Sequence, residues 1–273
     1  IKYIVDYDDA IFHNYDMSSN KLISFFLKNK IANVMKNSHC VIAGNKYLAQ
    51  KAKESGARKI VLLPTVIDID RYKTKERFSN LPIVIGWIGS PTTFKYIKKF
   101  EPIFLKLKKM FDVELHIVGA KEEKPCAKEI KFIEWSEANE VDLITKFDIG
   151  VMPLENTPWE LGKCSYKLIQ YMGCGIPVVA SAVGMNNDVV QDGKNGFLVN
   201  DDNQWIQRLC DLIIDKEMRI SLGNFGRSMV IEKFNLEKSS CILLAAIKDE
   251  KVVKETSSTI NRTLILEEFN LQN

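Results

Sequence analysis

Gly162-Lys163-Cys164-Ser165 opens a short amphipathic segment that breaks at Gly173, Gly175 and Pro177 and runs into the apolar VVAS of residues 178–181. These residue types suit an anion. Gly162 frees the backbone, and Ser165 stands where a helix would be capped. The first turn of a helix offers unpaired N–H groups and the positive end of its dipole. Lys163 adds a full positive charge beside them. A phosphate or diphosphate is what such a loop holds. A plain surface lysine is the alternative for Lys163 alone; glycine, serine and the place before a buried strand together favour the anion.

Three further stretches carry candidate chemistry. Gly86-Trp87-Ile88-Gly89-Ser90 ends an apolar run, so the backbone at Gly89 and Ser90 can approach a ligand. It lacks both the full G-x-G-x-x-G and the G-K-[ST] of a P-loop. Thr92, Thr93 and Lys95 behind it can cap the next helix or touch phosphate. Asp6-Tyr7-Asp8-Asp9 places carboxylates at a strand end; such a set can hold a divalent metal through oxygen or, more in keeping with a cleft edge, orient an acceptor hydroxyl. His13 follows closely, as a general base or as an ordinary loop histidine. Trp87, Trp159 and Trp205 read as core candidates; Trp135 and Trp159 also fall at strand ends where an indole can wall a base or sugar, with packing the better expectation for Trp135.

The elements that must position these residues alternate strictly. Strands are expected at 2–5, 39–44, 59–68, 82–89, 113–120, 130–135, 148–154, 178–181 and 196–199, with helices at 20–36, 46–55, 93–110, 137–145, after Ser165, and at 203–215. Strand-helix alternation with right-handed crossovers gives parallel sheets covered on both faces. The polar, aperiodic stretch 69–81 divides two such runs, so two doubly wound domains are expected. The chain opens at Ile1 inside an apparent strand, and the first domain is expected to be incomplete. Ligands in these sheets bind beyond the carboxyl ends of strands, which picks out the loops 6–9, 89–95, 120–125, 135–137 and 154–166.

Composition narrows the class. The 273 residues are 46% hydrophobic and 27% charged, with net charge +3 and a pI near 8.4, too mild a basic excess to imply nucleic acid. No apolar run is long enough to span a bilayer. The six cysteines are scattered without a C-x-x-C pair, which fits reduced thiols in a cytoplasmic setting better than disulfides or zinc.

Taken together, DYDDAIF, AGNKYLAQKA, LLPTVIDIDRY, IGWIGSPTTFKYI, the stretch from PLENTPWELGKCSYKLIQYMG to GFLV, and MRISLGNFGRSMVIEKFNLEK resemble GT-B glycosyltransferases of the retaining family 4. The resemblance spans about residues 1–248. It implies an α/β protein of two Rossmann-like domains, with 1–68 the remnant of an acceptor-side domain, 69–81 a linker, 82–231 the nucleotide-sugar donor domain, 232–248 a helix crossing back, and 249–273 a tail of no readable role. It implies transfer of a sugar from a UDP- or GDP-sugar to a glycan or lipid-linked acceptor, with retention, no metal and no cofactor. Basic groups would stabilise the departing diphosphate.

Residue by residue, the resemblance puts Gly89, Ser90, Lys95, Lys163, Ser165 and Tyr166 at the diphosphate, Gln170, Trp135 and Ser136 at the ribose and base, and Lys163, Asp8 and Asp9 at the reacting sugar. The family's two glutamates match Gly162 and Gln170 here. Gln170 can still bond a ribose diol; Gly162 has no side chain to offer. A nucleotide-sugar 2-epimerase and a non-catalytic nucleotide-sugar binding module are the alternatives. A peripheral position at the inner face of the membrane is compatible with the cytoplasmic expectation.

Overall fold

The computed structural model describes residues 2–74, 81–122 and 124–248; the expected tail 249–273 lies outside them. The chain divides into two compact units. Of the described residues, one comprises 2–66, 157–164 and 234–248, the other 67–74, 81–122, 124–156 and 165–233.

The first unit holds a parallel sheet in the order β1-β2-β3, with β1 Ile4–Tyr7, β2 Cys40–Ala43 and β3 Ile60–Leu62. Ile4 pairs with Cys40 and Val41 with Ile60. Between the strands run α1 His13–Asp16, α2 Lys21–Leu27, α3 Lys30–Asn37 and α4 Lys46–Glu54. The single helix expected over 20–36 is two helices. Asn20 caps α2 by accepting from Leu22 N and Ile23 N, and the chain turns at Lys28 and Asn29 before α3 buries Ile31 and Met35. Asn45 caps α4 through Leu48 N. The third strand is shorter than expected, three residues.

The second unit carries six parallel strands in the order β6-β5-β4-β7-β8-β9: β4 Ile83–Ile88, β5 Val113–Val118, β6 Ile130–Ile133, β7 Ile149–Met152, β8 Val178–Ser181 and β9 Gly196–Val199. Three of them, β4, β7 and β8, are buried at every position, as continuous apolar runs in a sheet covered on both faces must be. Its helices are α5 Phe94–Lys108, preceded by a 3₁₀ turn at Pro91–Thr93, α6 Glu140–Ile144, α8 Tyr166–Gly173, α9 Asn186–Val189, α10 Asp202–Ile214 and α11 Lys216–Lys233. The short helix α7 Pro158–Leu161 and the last described helix, α12 Leu236–Lys248, belong to the first unit. There Lys59 Nζ reaches Ala246 O, and Ala246 packs with Cys40 and Val61.

Two aromatic residues set the middle of the six-stranded sheet. Tyr171 of α8 lies over Gly150 of β7, where a Cβ would sit 2.4 Å from its ring, and its hydroxyl accepts from Ile88 N at 2.9 Å. Phe147 occupies the space above Gly86 in the same way and meets Tyr171 edge-on at 5.9 Å. Around α5 and α10, Phe100, Phe104, Leu115, Ile117, Trp205 and Leu209 form a dry core, each side chain contributing about 1.5–3 kcal/mol by leaving water. Trp87 and Trp205 are core residues, as expected.

Candidate functional site

In chain order the strands of the second unit run third, second, first, fourth, fifth, sixth. The winding therefore reverses between β4 and β7, and the crevice at their carboxyl ends is where such sheets bind ligands. The loop leaving β4 is dense with hydroxyls. Ser90 Oγ is 2.8 Å from Thr92 Oγ1 and 3.3 Å from Thr93 Oγ1, and Ser90 N donates to Thr93 Oγ1. Gly89 is required here by packing: a Cβ would lie 2.4 Å from the Trp87 indole and 2.8 Å from Thr93 Oγ1. Lys95 is exposed, with its Nζ 4.8 Å from the Tyr96 ring centroid.

Ser165 does precede a helix, but its side chain does not cap it. Its backbone is left-handed (φ 55°), it is buried, and its Oγ donates to Asn186 Oδ1 at 2.7 Å. Asn186 Nδ2 in turn donates to Ser181 O. Tyr166 is exposed in the first turn of α8. One position on, Lys167 places its Nζ 5.7 Å above the Trp87 ring.

The residues assigned to ribose and base meet through two side chains that no motif singled out. Gln170, 3% exposed, donates from Nε2 to Tyr72 Oη at 2.9 Å. Tyr72 Oη donates to Glu140 Oε1 at 2.6 Å, and Glu140 Oε2 accepts from Trp135 Nε1 at 2.9 Å. Burial first, then the bond to Glu140, raises the Tyr72 hydroxyl far above its ordinary range, so it keeps its proton. Trp135 was expected to pack; it is 46% exposed, and Glu140 satisfies its N–H instead of a core partner. Ser136, next to it, is exposed and exchanges hydrogen bonds with Asn139. Tyr72 itself lies in the stretch read as a linker, of which residues 75–80 fall outside the described residues. It is buried, and Arg227 Nη1 donates to its carbonyl and to Gly173 O.

Lys163, Asp8 and Asp9 fall together in the first unit. Lys163 Nζ is 3.5 Å from Asp9 Oδ1. Cys164 Sγ donates to Asp8 O at 3.1 Å, and Asn45 Nδ2 donates to both Leu161 O and Lys163 O. Burial, the largest cause, and then the nearby carboxylates push the Cys164 thiol up to about 12, which leaves it neutral and unreactive. Asp6 is raised by burial and then by Asp8. His13 is bracketed, Nδ1 by Asp16 at 2.7 Å and Nε2 by Tyr47 Oη at 2.8 Å, and serves α1 and α4 as an ordinary structural histidine. Gly162 packs on Ala10 so closely that a Cβ would stand 2.6 Å from Ala10 N. Glu160 is buried and accepts from Thr157 Oγ1. Among the described residues no three His, Cys, Asp or Glu side chains are grouped to hold a metal.

A cavity of about 310 Å³ opens at the carboxyl ends of β7, β8 and β9, lined by Lys99, Leu154, Ser181, Asn200 and Trp205 among others. None of the residues predicted for the donor lines it, so it lies beside the switch-point crevice and not at the predicted chemistry.

The profile of the family described as "Glycosyl transferases group 1" matches residues 82–215. That interval contains the β4 loop, the Trp135–Glu140 loop, Ser165 and Gln170. Residues 82–215 are thus similar to group 1 glycosyltransferases. The chain is 26% identical over 199 residues to spore coat protein SA of Bacillus subtilis (strain 168), covering 70% of this chain and 45% of that protein. It thus spans less than half of that relative's length. In structure it resembles the sucrose-phosphate synthase of Thermosynechococcus elongatus (TM-score 0.74, 16% identity, 91% of this chain and 68% of that one). It also resembles Anabaena Alr3699/HepE solved with UDP and glucose (TM-score 0.73, 16% identity, 90% and 71%). The fold is that of the GT-B glycosyltransferases. The strands of the six-stranded sheet all lie within the matched interval.

Proposed function

We propose that this chain belongs to an enzyme that transfers a sugar from a nucleotide diphosphate sugar to a glycan or lipid-linked acceptor, with retention and without a metal. The observation that carries this reading is the group 1 match over 82–215, which takes in every residue assigned to the ribose and base. HepE, solved with UDP and glucose, supports a uridine nucleotide ahead of a guanine one. In this reading Gln170, Trp135 and Ser136 hold the nucleoside, and Gly89, Ser90, Lys95, Ser165, Tyr166 and Lys163 are assigned to the diphosphate. Lys163 offsets the charge that develops on the leaving group, and Asp8 and Asp9 face the sugar. The 2-epimerase and the binding module are not favoured, because the matched family is one of transferases.

The test is calorimetry of UDP and GDP with this chain, each repeated in excess EDTA. Binding of UDP that survives EDTA is the expected result. Binding abolished by EDTA would make Asp6 and Asp8 metal ligands and end the metal-free reading. Binding of neither nucleotide would end the donor-site reading for this chain.

A cytoplasmic setting is supported by six free cysteines, and no described helix is long and apolar enough to cross a membrane. A place at an anionic membrane surface is supported by α2, which exposes Leu22, Phe25 and Phe26 between Lys21 and Lys28. Cosedimentation with vesicles containing acidic lipid should drop on Phe25→Glu; no sedimentation of the parent chain would remove the membrane from the proposal.

A further inference from the structure

Gln170, if it is a ribose ligand as proposed above, must present a fixed face of its amide to the donor. A glutamine amide presents NH₂ on one side and a carbonyl on the other, and a neighbour decides which faces where. Here three side chains face the Tyr72 hydroxyl, Glu140, Gln170 and Tyr166, and the shortest contact, to Glu140, sets the direction. A carboxylate can only accept, and Glu140 takes the indole N–H of Trp135 on one oxygen and the Tyr72 hydroxyl on the other. Tyr72 has one proton, and at 2.6 Å it is committed to Glu140. The Tyr72 oxygen can then only accept from its remaining partners. The group that Gln170 turns toward it is therefore the NH₂, at 2.9 Å, and Oε1 is turned away.

We propose that Tyr72, held by Glu140, is a positioning residue that fixes the Gln170 amide so that its carbonyl oxygen takes the place of a carboxylate oxygen toward the donor ribose. The chain runs in one direction, amide to hydroxyl to carboxylate, and each member polarises the next. Glutamine is thus the residue this surrounding demands. A glutamate at 170 would set a second carboxylate against a hydroxyl whose proton is already given away. Two acceptors would then face each other across a buried contact, a mismatch that one added proton relieves. The same chain pins the exposed Trp135 indole by its N–H, so the base wall and the ribose ligand are set by one hub.

The experiment measures UDP and inorganic diphosphate binding by calorimetry for the parent chain, Tyr72→Phe, Glu140→Gln, Gln170→Glu and the double variant Tyr72→Phe/Gln170→Glu, at pH 6 and pH 8. Thermal melts confirm that each is folded, and Glu140→Gln, changing a half-buried surface side chain, guards against a folding failure at Tyr72. Tyr72→Phe and Glu140→Gln should each weaken UDP about 3- to 10-fold, the range expected for one net hydrogen bond, and leave diphosphate unchanged. Gln170→Glu should bind UDP more weakly at pH 8 than at pH 6, because protonation restores an O–H toward Tyr72 and a carbonyl toward the ribose. The double variant should bind UDP better at pH 8 than Gln170→Glu alone, since the opposing oxygen is gone. A merely structural Tyr72 would move neither the pH profile nor the rescue. Gln170→Glu binding UDP at pH 8 as tightly as the parent would overturn the positioning of Gln170. Equal losses of UDP and diphosphate would do the same. A parent chain that binds no UDP would instead end the donor-site reading on which the inference rests.

Discussion

Gly162→Glu, which would put a carboxylate where the family 4 resemblance expects one, is expected to destabilise this protein and not to activate it. A Cβ at 162 would stand 2.4 Å from Ala10 Cβ, 2.6 Å from Ala10 N and 3.0 Å from Ala10 Cα. Two of those three atoms are backbone, so no rotamer change clears the space. The neighbouring carbonyls of Leu161 and Lys163 are both held by Asn45, which stops the segment from sliding away. Overpacking of this kind costs about 1–3 kcal/mol, and a carboxylate forced into a buried position adds its own desolvation. Gly162→Ala isolates the steric part and should lower Tm by several degrees, at about 2–4 °C per kcal/mol for a chain of this size; Gly162→Glu should fall further. The check is a pair of thermal melts with UDP titrations. A Gly162→Glu protein with parent Tm and tighter donor binding would show that the position is an emptied site and not a packed one.

The missing carboxylate was legible, but the reason for it was not, because Ala10 and Gly162 are 152 positions apart along the chain and only the fold brings them together. What was legible came from local periodicity. The buried strands announced themselves as apolar runs bounded by Gly and Pro, and the long helix α5 was visible even across Pro102. What failed was decided by particular side-chain partners, near or far, which periodicity does not report. Residues 20–36 have one apolar rhythm, yet Asn20 and the turn at Lys28 make two helices. Ser165 has the composition of a cap, yet Asn186 claims its hydroxyl. Trp135 looks like core, yet a carboxylate five residues on lets it stay exposed. Tyr72 sits in a polar stretch with no period, yet it is buried and its carbonyl is held by Arg227, far along the chain. The candidate site was therefore legible as a set of loops, while the hub that organises Gln170 was not.

Lys163→Ala tests the other half of the proposed donor site, the charge. Lys163 keeps only 15% of its side chain exposed and lies 3.5 Å from Asp9, which is 41% exposed. A pair at that distance, open on one side, is worth roughly 0–1 kcal/mol, so removing the lysine costs the fold little. A diphosphate offers far more to a partly desolvated ammonium than one carboxylate does. Loss of Lys163 should therefore weaken UDP and inorganic diphosphate alike by ~1.5–3 kcal/mol, about ten- to 150-fold, with Tm nearly unchanged. The residual affinity should depend less steeply on salt, because one cation has gone. Asp9→Asn should move the other way, tightening diphosphate by no more than ~1 kcal/mol as the competing carboxylate is removed. This pattern separates the two halves of the site: charge variants change both ligands together, whereas Tyr72 and Gln170 variants change UDP alone. Diphosphate binding that is the same with and without Lys163 would take this residue out of the donor site and leave the positive charge to Lys95 and Lys167 in the second unit.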